Sequence, residues 1–327
     1  MPLKKLHVQV PKFSPSSTKA FLSYAFGLTE KPGPQAVFEV GSNTLRWLEF
    51  IREDGSLRLL GHRLKEVSAQ NLAVPAQEEI LRKEARTFLD EAPPSAKKVF
   101  LGFSSGLVQV RKVTVPEMPK EELPKALRWA VRAQLPFDPD RALLGFEADL
   151  PRDKKQEVLL AVADETRLVQ WITLIQEKGL RVAEVTSSPL MLLQWIRENS
   201  IFPSEATALV DIGTFHTTLF VLAADRPLFV REVSFGGEGV TQAMTQFLST
   251  EKGTVHLTPQ DAERLKRSYG FPSEELSGEM VTRTQLVSLI RPSWNVWPMN
   301  SSAPSTIFDR SQTSPSRKSC WWGVGAS

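Results

Sequence analysis

The chain has a single cysteine, Cys320, and four histidines in 327 residues. One cysteine permits no internal disulfide, and this ligand set is too small for a structural zinc site. No run of about 18 apolar residues occurs, so the sequence shows no membrane span. The apolar part of the N-terminus is short and interrupted, which leaves no recognisable signal peptide. These absences fit a reducing, cytoplasmic setting. Net charge is also small, +3 overall, but it is unevenly distributed. Residues 1–35 hold +4, from Lys4, Lys5, Lys12, Lys19 and Lys31 against Glu30; the tail from Pro292 holds +2, which leaves the body at −3. A mildly acidic body argues against a nucleic-acid binder. The basic arm, with TKAFLSYAFGL at Thr18–Leu28, suits either a disordered segment or one lying on an anionic membrane surface.

What is present is ample core material. Hydrophobic residues make up 41% of the chain, and its length accommodates two domains. Lys31-Pro32-Gly33-Pro34 breaks the arm from the body. Alternation predicts strands over 36–40, 45–51 and 57–64, then a helix over 76–92 and a buried-type strand over 97–103. The unit 107–185 reads β-α-β-β-α-β, a compact inserted subdomain. Its first helix, 120–134, follows Met118-Pro119 and ends at Pro136-Phe137-Asp138-Pro139. A helix over 188–199 precedes strands across 207–234 and a helix over 238–248. Thr258-Pro259 starts a helix that ends at Gly270, and a last helix runs over 283–290. The expected domains are the arm, a first half over 36–206 carrying the insertion, and a second half over 207–291.

Two stretches carry candidate chemistry. ALVDIGTFHTTLFVLAADRPLFVREVSFGGEGVTQ, from Ala208 to Gln242, places an acidic-Gly turn between strands and Gly236-Gly237 before a helix. AVFEVGSNTLRWLEFIREDGSLRLLGHRL, from Ala36 to Leu64, repeats the arrangement. Gly41 and Gly213 precede Asp54-Gly55 and Asp225-Arg226-Pro227 by similar distances. Such turns can bring backbone N–H groups and hydroxyls to a phosphate while a carboxylate faces a metal ion. Two in one chain predict a duplicated fold that closes on a nucleotide from both sides. Either turn alone reads equally as an ordinary hairpin, and Glu263 with Lys266 as a surface i,i+3 pair. Trp129 is expected in the core and His216 at a loop surface.

Five segments in order resemble the PilM family, actin-like ATP-binding proteins of type IV pilus assembly and natural transformation. They are VFEVGSNTLRWLEF, VPEMPKEELPKALRWAVRAQLPF, ALVDIGTFHTTLFVL, RPLFVREVSFGGEGVTQAM and DAERLKRSYG. Arg128-Trp129 followed by Gln134-Leu135-Pro136-Phe137 is similar to the family's most distinctive segment. The resemblance covers roughly 36–291. It implies an α/β actin-like fold of duplicated RNase-H-like halves, with the inserted subdomain in the first. It implies ATP and Mg as ligands. Glu39, Gly41, Ser42 and Asn43 match the first phosphate loop, and Asp211, Gly213, Thr214 and Thr217 the second. Gly236, Gly237 and Glu238 match the turn approaching the ribose; Glu263 and Lys266 match the pair flanking the adenosine. Glu39 and Asp211 are the carboxylates expected to hold water on Mg. The implied partner is the N-terminal cytoplasmic tail of an inner-membrane pilus assembly protein of the PilN type. The implied role is a cytoplasmic scaffold of the pilus or DNA-uptake (competence) machine, peripheral at the inner membrane.

The chain departs from the family pattern in places. Glu39 stands where actin-like proteins commonly place Asp, Arg46 where Lys is frequent, and Phe215 and His216 are bulky for a phosphate loop. No His or Lys is placed as an evident general base, so hydrolysis is expected to be slow at most. A small-molecule kinase of the same core fold would need a catalytic Asp opposite the γ-phosphate, for which no motif is found. An actin-like cell-division ATPase would need a C-terminal amphipathic helix, which the tail does not supply, and a scaffold that binds no nucleotide is a further alternative. After Arg291 the chain turns to serine, proline and four of its eight tryptophans without any period. Read one base out of frame, Ser293–Asn300 decodes as an amphipathic helix and Ser319–Ala326 as an apolar strand feeding a glycine-rich loop. The tail 292–327 is therefore read as frameshifted, and the glycine-rich adenine loop is absent from the chain as written.

Overall fold

The structure, a computed structural model, describes residues 33–53, 56–67, 74–91, 94–104, 106–198, 206–223, 226–245, 248–250 and 253–269. The arm up to residue 32, the expected helix over 283–290 and the tail from Pro292 lie outside the described residues. The chain divides into two compact units, Met1–Thr207 with Phe220–Arg231, and Ala208–Leu219 with Glu232–Ser327.

In the first unit, β1 (Gln35–Val40), β2 (Thr44–Glu53) and β3 (Ser56–Glu66) form an antiparallel meander. Helix α1 (Val74–Glu91) leads to β4 (Lys98–Phe103), which pairs parallel with β1. The period-2 pattern of β1 buries Ala36, Phe38 and Val40, so Glu39 stands on the face away from the core. Strand β5 (Val108–Pro116) opens the insertion, followed by α2 (Leu123–Val131), β6 (Ala142–Ala148), β7 (Lys155–Asp164), α3 (Glu165–Glu177) and β8 (Arg181–Ser187). Helix α4 (Ser188–Glu198) completes the unit's regular elements before the next strand.

The expected β-α-β-β-α-β order is present, and hydrogen bonding distributes it over two sheets. β5, β7 and β6 form an antiparallel sheet of their own, whereas β8 pairs parallel with β4 in the main sheet, order β3-β2-β1-β4-β8. The apolar face of α3 explains the division. Leu168, Trp171, Ile172 and Ile175 join Leu81, Ala85, Phe88 and Leu89 of α1 over the main sheet. Ring contacts tie this core together, Phe38–Trp47 at 5.7 Å and Phe103–Trp171 at 5.9 Å between centroids. Arg167 on α3 pairs with Glu78 on α1.

The small sheet has its own core, in which Leu123, Leu127 and Val131 of α2 meet Val115, Val158, Leu160 and Val162. The i, i+4, i+8 spacing of those three residues fixes which face is buried, and Trp129 falls on the other. Trp129 is accordingly 65% exposed, contrary to the expectation of a core residue, with the Arg132 guanidinium 5.3 Å from its ring. The helix is also shorter than expected; residues 132–134 form a 3-10 turn.

Strands β9 (Thr207–Ile212), β10 (Thr217–Ala223) and β11 (Arg226–Val233) form a three-stranded sheet in the order β11-β10-β9. Helix α5 (Gly237–Met244), the short hairpin β12 (Leu248–Thr250) and β13 (Gly253–Val255), and α6 (Pro259–Tyr269) follow. The run of three strands then a helix repeats the order at the start of the chain. Thr258 caps α6 as its sequence predicts, its Oγ1 accepting from the Asp261 N–H at 3.1 Å.

Candidate functional site

The first candidate turn joins β1 to β2. The Gly41 N–H donates to Thr44 O at 2.7 Å, which closes the hairpin. A Cβ at Gly41 would lie 2.4 Å from Thr44 Oγ1, so the turn is built around a missing side chain. Gln77 of α1 donates to Ser42 O at 2.9 Å, and the Ser42 and Ser104 hydroxyls lie 3.3 Å apart. The Asn43 carbonyl accepts from Val67 N–H at 2.7 Å. On β1, Glu39 accepts from Arg46 at 3.1 Å and from the Ser188 hydroxyl, at the start of α4, at 3.0 Å. A carboxylate, a cation and several hydroxyls thus cluster at one hairpin.

The second turn joins β9 to β10 and closes the same way, with the Gly213 N–H donating to His216 O at 2.9 Å. Its outer carbonyls are capped by α5: Gly237 N–H donates to Gly213 O and Glu238 N–H to Thr214 O, both at 2.9 Å. Thr217 is buried and its hydroxyl donates to Phe235 O at 2.7 Å. His216 is half-buried rather than on the surface as expected. Burial depresses its imidazole, and Nδ1 has no hydrogen-bond partner among the described residues.

Glu263 and Lys266 on α6 are more than a surface pair. Lys266 Nζ lies 2.5 Å from Glu263 Oε2, and it also donates to Gly237 O at 3.1 Å and Thr241 Oγ1 at 2.9 Å. The Thr241 hydroxyl donates to Glu263 Oε2 at 2.6 Å, and Arg267 donates to Oε1 at 2.9 Å. Burial alone would raise the Glu263 carboxyl, but the hydrogen bonds from Lys266, Thr241 and Arg267 prevail and hold it at about 2. A depressed acid contributes stability above its unfolded value, near 4.5, and loses it as pH falls toward 2. Glu263→Gln is therefore expected to lower the urea midpoint above pH 5. The deficit should vanish near pH 2; a deficit constant across that range would refute the ion-pair account.

The structure thus gathers Asp211, Gly213, Thr214, Thr217, Gly236, Gly237, Glu238, Glu263 and Lys266 in the second unit, and Glu39, Gly41, Ser42 and Asn43 in the first. Sequence reasoning missed Gln77, Ser104, Ser188 and Thr241. The first three reach the turn from distant segments, and no local pattern announces them. Thr241 is legible in retrospect, one helical turn from Gly237 on the same face of α5. Among the described residues no cluster of three or more His, Cys, Asp or Glu stands ready to hold a metal ion by itself. No described helix is long and apolar enough to cross a membrane.

Residues 39–281 match the family model described as type IV pilus assembly protein PilM. Among solved structures, the PilM-PilN type IV pilus biogenesis complex is similar with a TM-score of 0.59 at 23% identity, over 81% of this chain and 73% of that chain. MreB 5 of Spiroplasma citri bound to AMPPNP gives 0.43 at 11% identity, over 88% and 81%. The cytoplasmic domain of EpsL, from the type II secretion system of Vibrio cholerae, gives 0.39 at 10% identity, over 65% and 73%. No curated protein matches the sequence.

Proposed function

The chain belongs to the PilM family of type IV pilus assembly proteins and has its actin-like α/β fold, and from that premise we propose that it is an ATP-binding scaffold of the pilus or DNA-uptake machine. The observation that carries the nucleotide reading is the repeated turn. In both hairpins a glycine two residues after a carboxylate donates its N–H to the carbonyl three residues on, Gly41 to Thr44 and Gly213 to His216. Two equivalent hairpins, each bearing a carboxylate, suit a ligand with several phosphates and a divalent cation.

The residues present fit such a group. Gly41 is packed so closely that no side chain intrudes on its turn, and Ser42, Ser104 and Thr214 supply hydroxyls. Gly41, Ser42 and Asn43 would face phosphate from the first turn, and Gly213 and Thr214 from the second. Glu39 and Asp211 would hold water on Mg, with Arg46 beside Glu39 as a counter-charge. Bound Mg-ATP would supply the charge that draws the turns toward one ligand. Gly236, Gly237 and Glu238 would border the ribose. Binding that favours one arrangement of the protein over another would shift the surface offered to a partner. That partner, on this reading, is the N-terminal cytoplasmic tail of a PilN-type inner-membrane protein. The family supports it, as does the likeness to a structure of PilM with PilN. The basic arm 1–35 would add contact with an anionic membrane surface.

The test is calorimetry with Mg-ATP on the full chain. Asp211→Ala is expected to weaken binding by about tenfold, ~1.4 kcal/mol, without changing the melting temperature by more than the noise. Unchanged affinity in a folded variant would remove Asp211 from the site.

A further inference from the structure

We infer that Lys266, together with Thr241, is a positioning residue for the second phosphate turn and makes no polar contact with the nucleoside; this rests on reading that turn as a phosphate site. The argument is one of donors and acceptors. A lysine ammonium carries three N–H bonds and accepts none. Three acceptors surround Lys266 Nζ: Gly237 O at 3.1 Å, Thr241 Oγ1 at 2.9 Å and Glu263 Oε2 at 2.5 Å. All three donors are engaged inside the protein, so none remains to recognise a base or ribose.

Thr241 is 3% exposed and has one hydroxyl proton for two acceptors, Glu263 Oε2 at 2.6 Å and Gly237 O at 3.2 Å. The nearer, charged oxygen takes it. The Gly237 carbonyl is then left to Lys266. From Gly237 the chain of bonds continues to the turn, because the N–H groups of Gly237 and Glu238 hold the carbonyls of Gly213 and Thr214. Those first N–H groups of a helix are the ones that commonly bind anions. Here they grip protein carbonyls, so the start of α5 acts as a clamp on the turn. Lys266 and Thr241 brace that clamp from α6 and from the next turn of α5. Loss of either leaves a polar group of the brace without its partner, which loosens the clamp.

Two substitutions in the full chain test this, Lys266→Met and Thr241→Val, with Thr241→Ser as the conservative control. Without any ligand, amide hydrogen exchange at Gly237 and Glu238 is expected to quicken by about tenfold in the first two and to stay near wild type in the third. In calorimetry, affinity for Mg-ATP and for inorganic tripolyphosphate is expected to fall by the same factor, about five- to tenfold. Unchanged exchange at both amides would overturn the inference. So would a fall for Mg-ATP with tripolyphosphate unaffected, because that pattern belongs to a nucleoside contact. Should wild type bind neither ligand, the phosphate reading fails, and the exchange data still decide whether Lys266 braces α5. If Lys266→Met does not fold, exchange and calorimetry on Thr241→Val against Thr241→Ser decide the matter by themselves.

Discussion

Gly236→Ala is expected to destabilise the second unit by about 1–3 kcal/mol, the cost of forcing atoms into a filled space, whereas Gly237→Ala is expected to be nearly neutral. A Cβ at Gly236 would lie 2.4 Å from Gly213 O and 2.6 Å from Thr214 O, both backbone atoms that cannot rotate away. Its φ of −157° is ordinary extended backbone, so space alone sets the penalty. At Gly237 the nearest atom to a new Cβ is Lys266 Nζ at 3.4 Å, the far end of a long side chain that can shift by a few tenths of an ångström. The Gly236 variant should also lose exchange protection at the Gly237 and Glu238 amides, because the clashing oxygens are the acceptors of those amides. Thermal or urea melts of the two variants side by side make the measurement. Equal behaviour of the pair would mean that the turn and α5 are not packed as described.

Glu184→Gln is expected to stabilise the protein at pH 8 by about 1–3 kcal/mol and to leave it unchanged at pH 4. Glu184 lies on β8 opposite Phe100, beside an irregularity in the β4–β8 register. Burial pushes its carboxyl up to about 7. The sign follows from that direction. Below the unfolded value, near 4.5, the group is neutral whether the chain is folded or not, and burial costs little. As pH rises through about 7 the folded protein must hold a charge in a poorly solvated place, and stability is lost. Glutamine keeps the shape without the charge. Urea midpoints of both proteins across pH 4–9 should coincide at the acid end and diverge above neutrality. Parallel curves would remove burial as the cause.

Much of this was legible in local pattern. The alternation in QAVFEV gives β1 and places Glu39 opposite Phe38 in facing; Thr258-Pro259 starts α6; Gly-Gly before GVTQAM starts α5. The five ordered segments identify the family. Where local reading fell short, a competing long-range contact decided. The β-α-β-β-α-β run does not stay in one sheet, because the apolar face of α3 completes the core under β1 and β4. Trp129 is apolar by type but sits off the stripe formed by Leu123, Leu127 and Val131, so it is exposed.

By itself, the sequence determined the order of the elements, the two glycine turns with their carboxylates, and membership of the PilM family, because these depend on period, residue type and spacing along the chain. Only the tertiary structure decided which groups the turns lean on. Gln77, Ser104 and Ser188 reach the first turn from far along the chain, and Thr241 and Lys266 brace the second through α5. The reason is physical: a hydrogen bond is set by a few tenths of an ångström in space, which packing fixes and one-dimensional spacing does not.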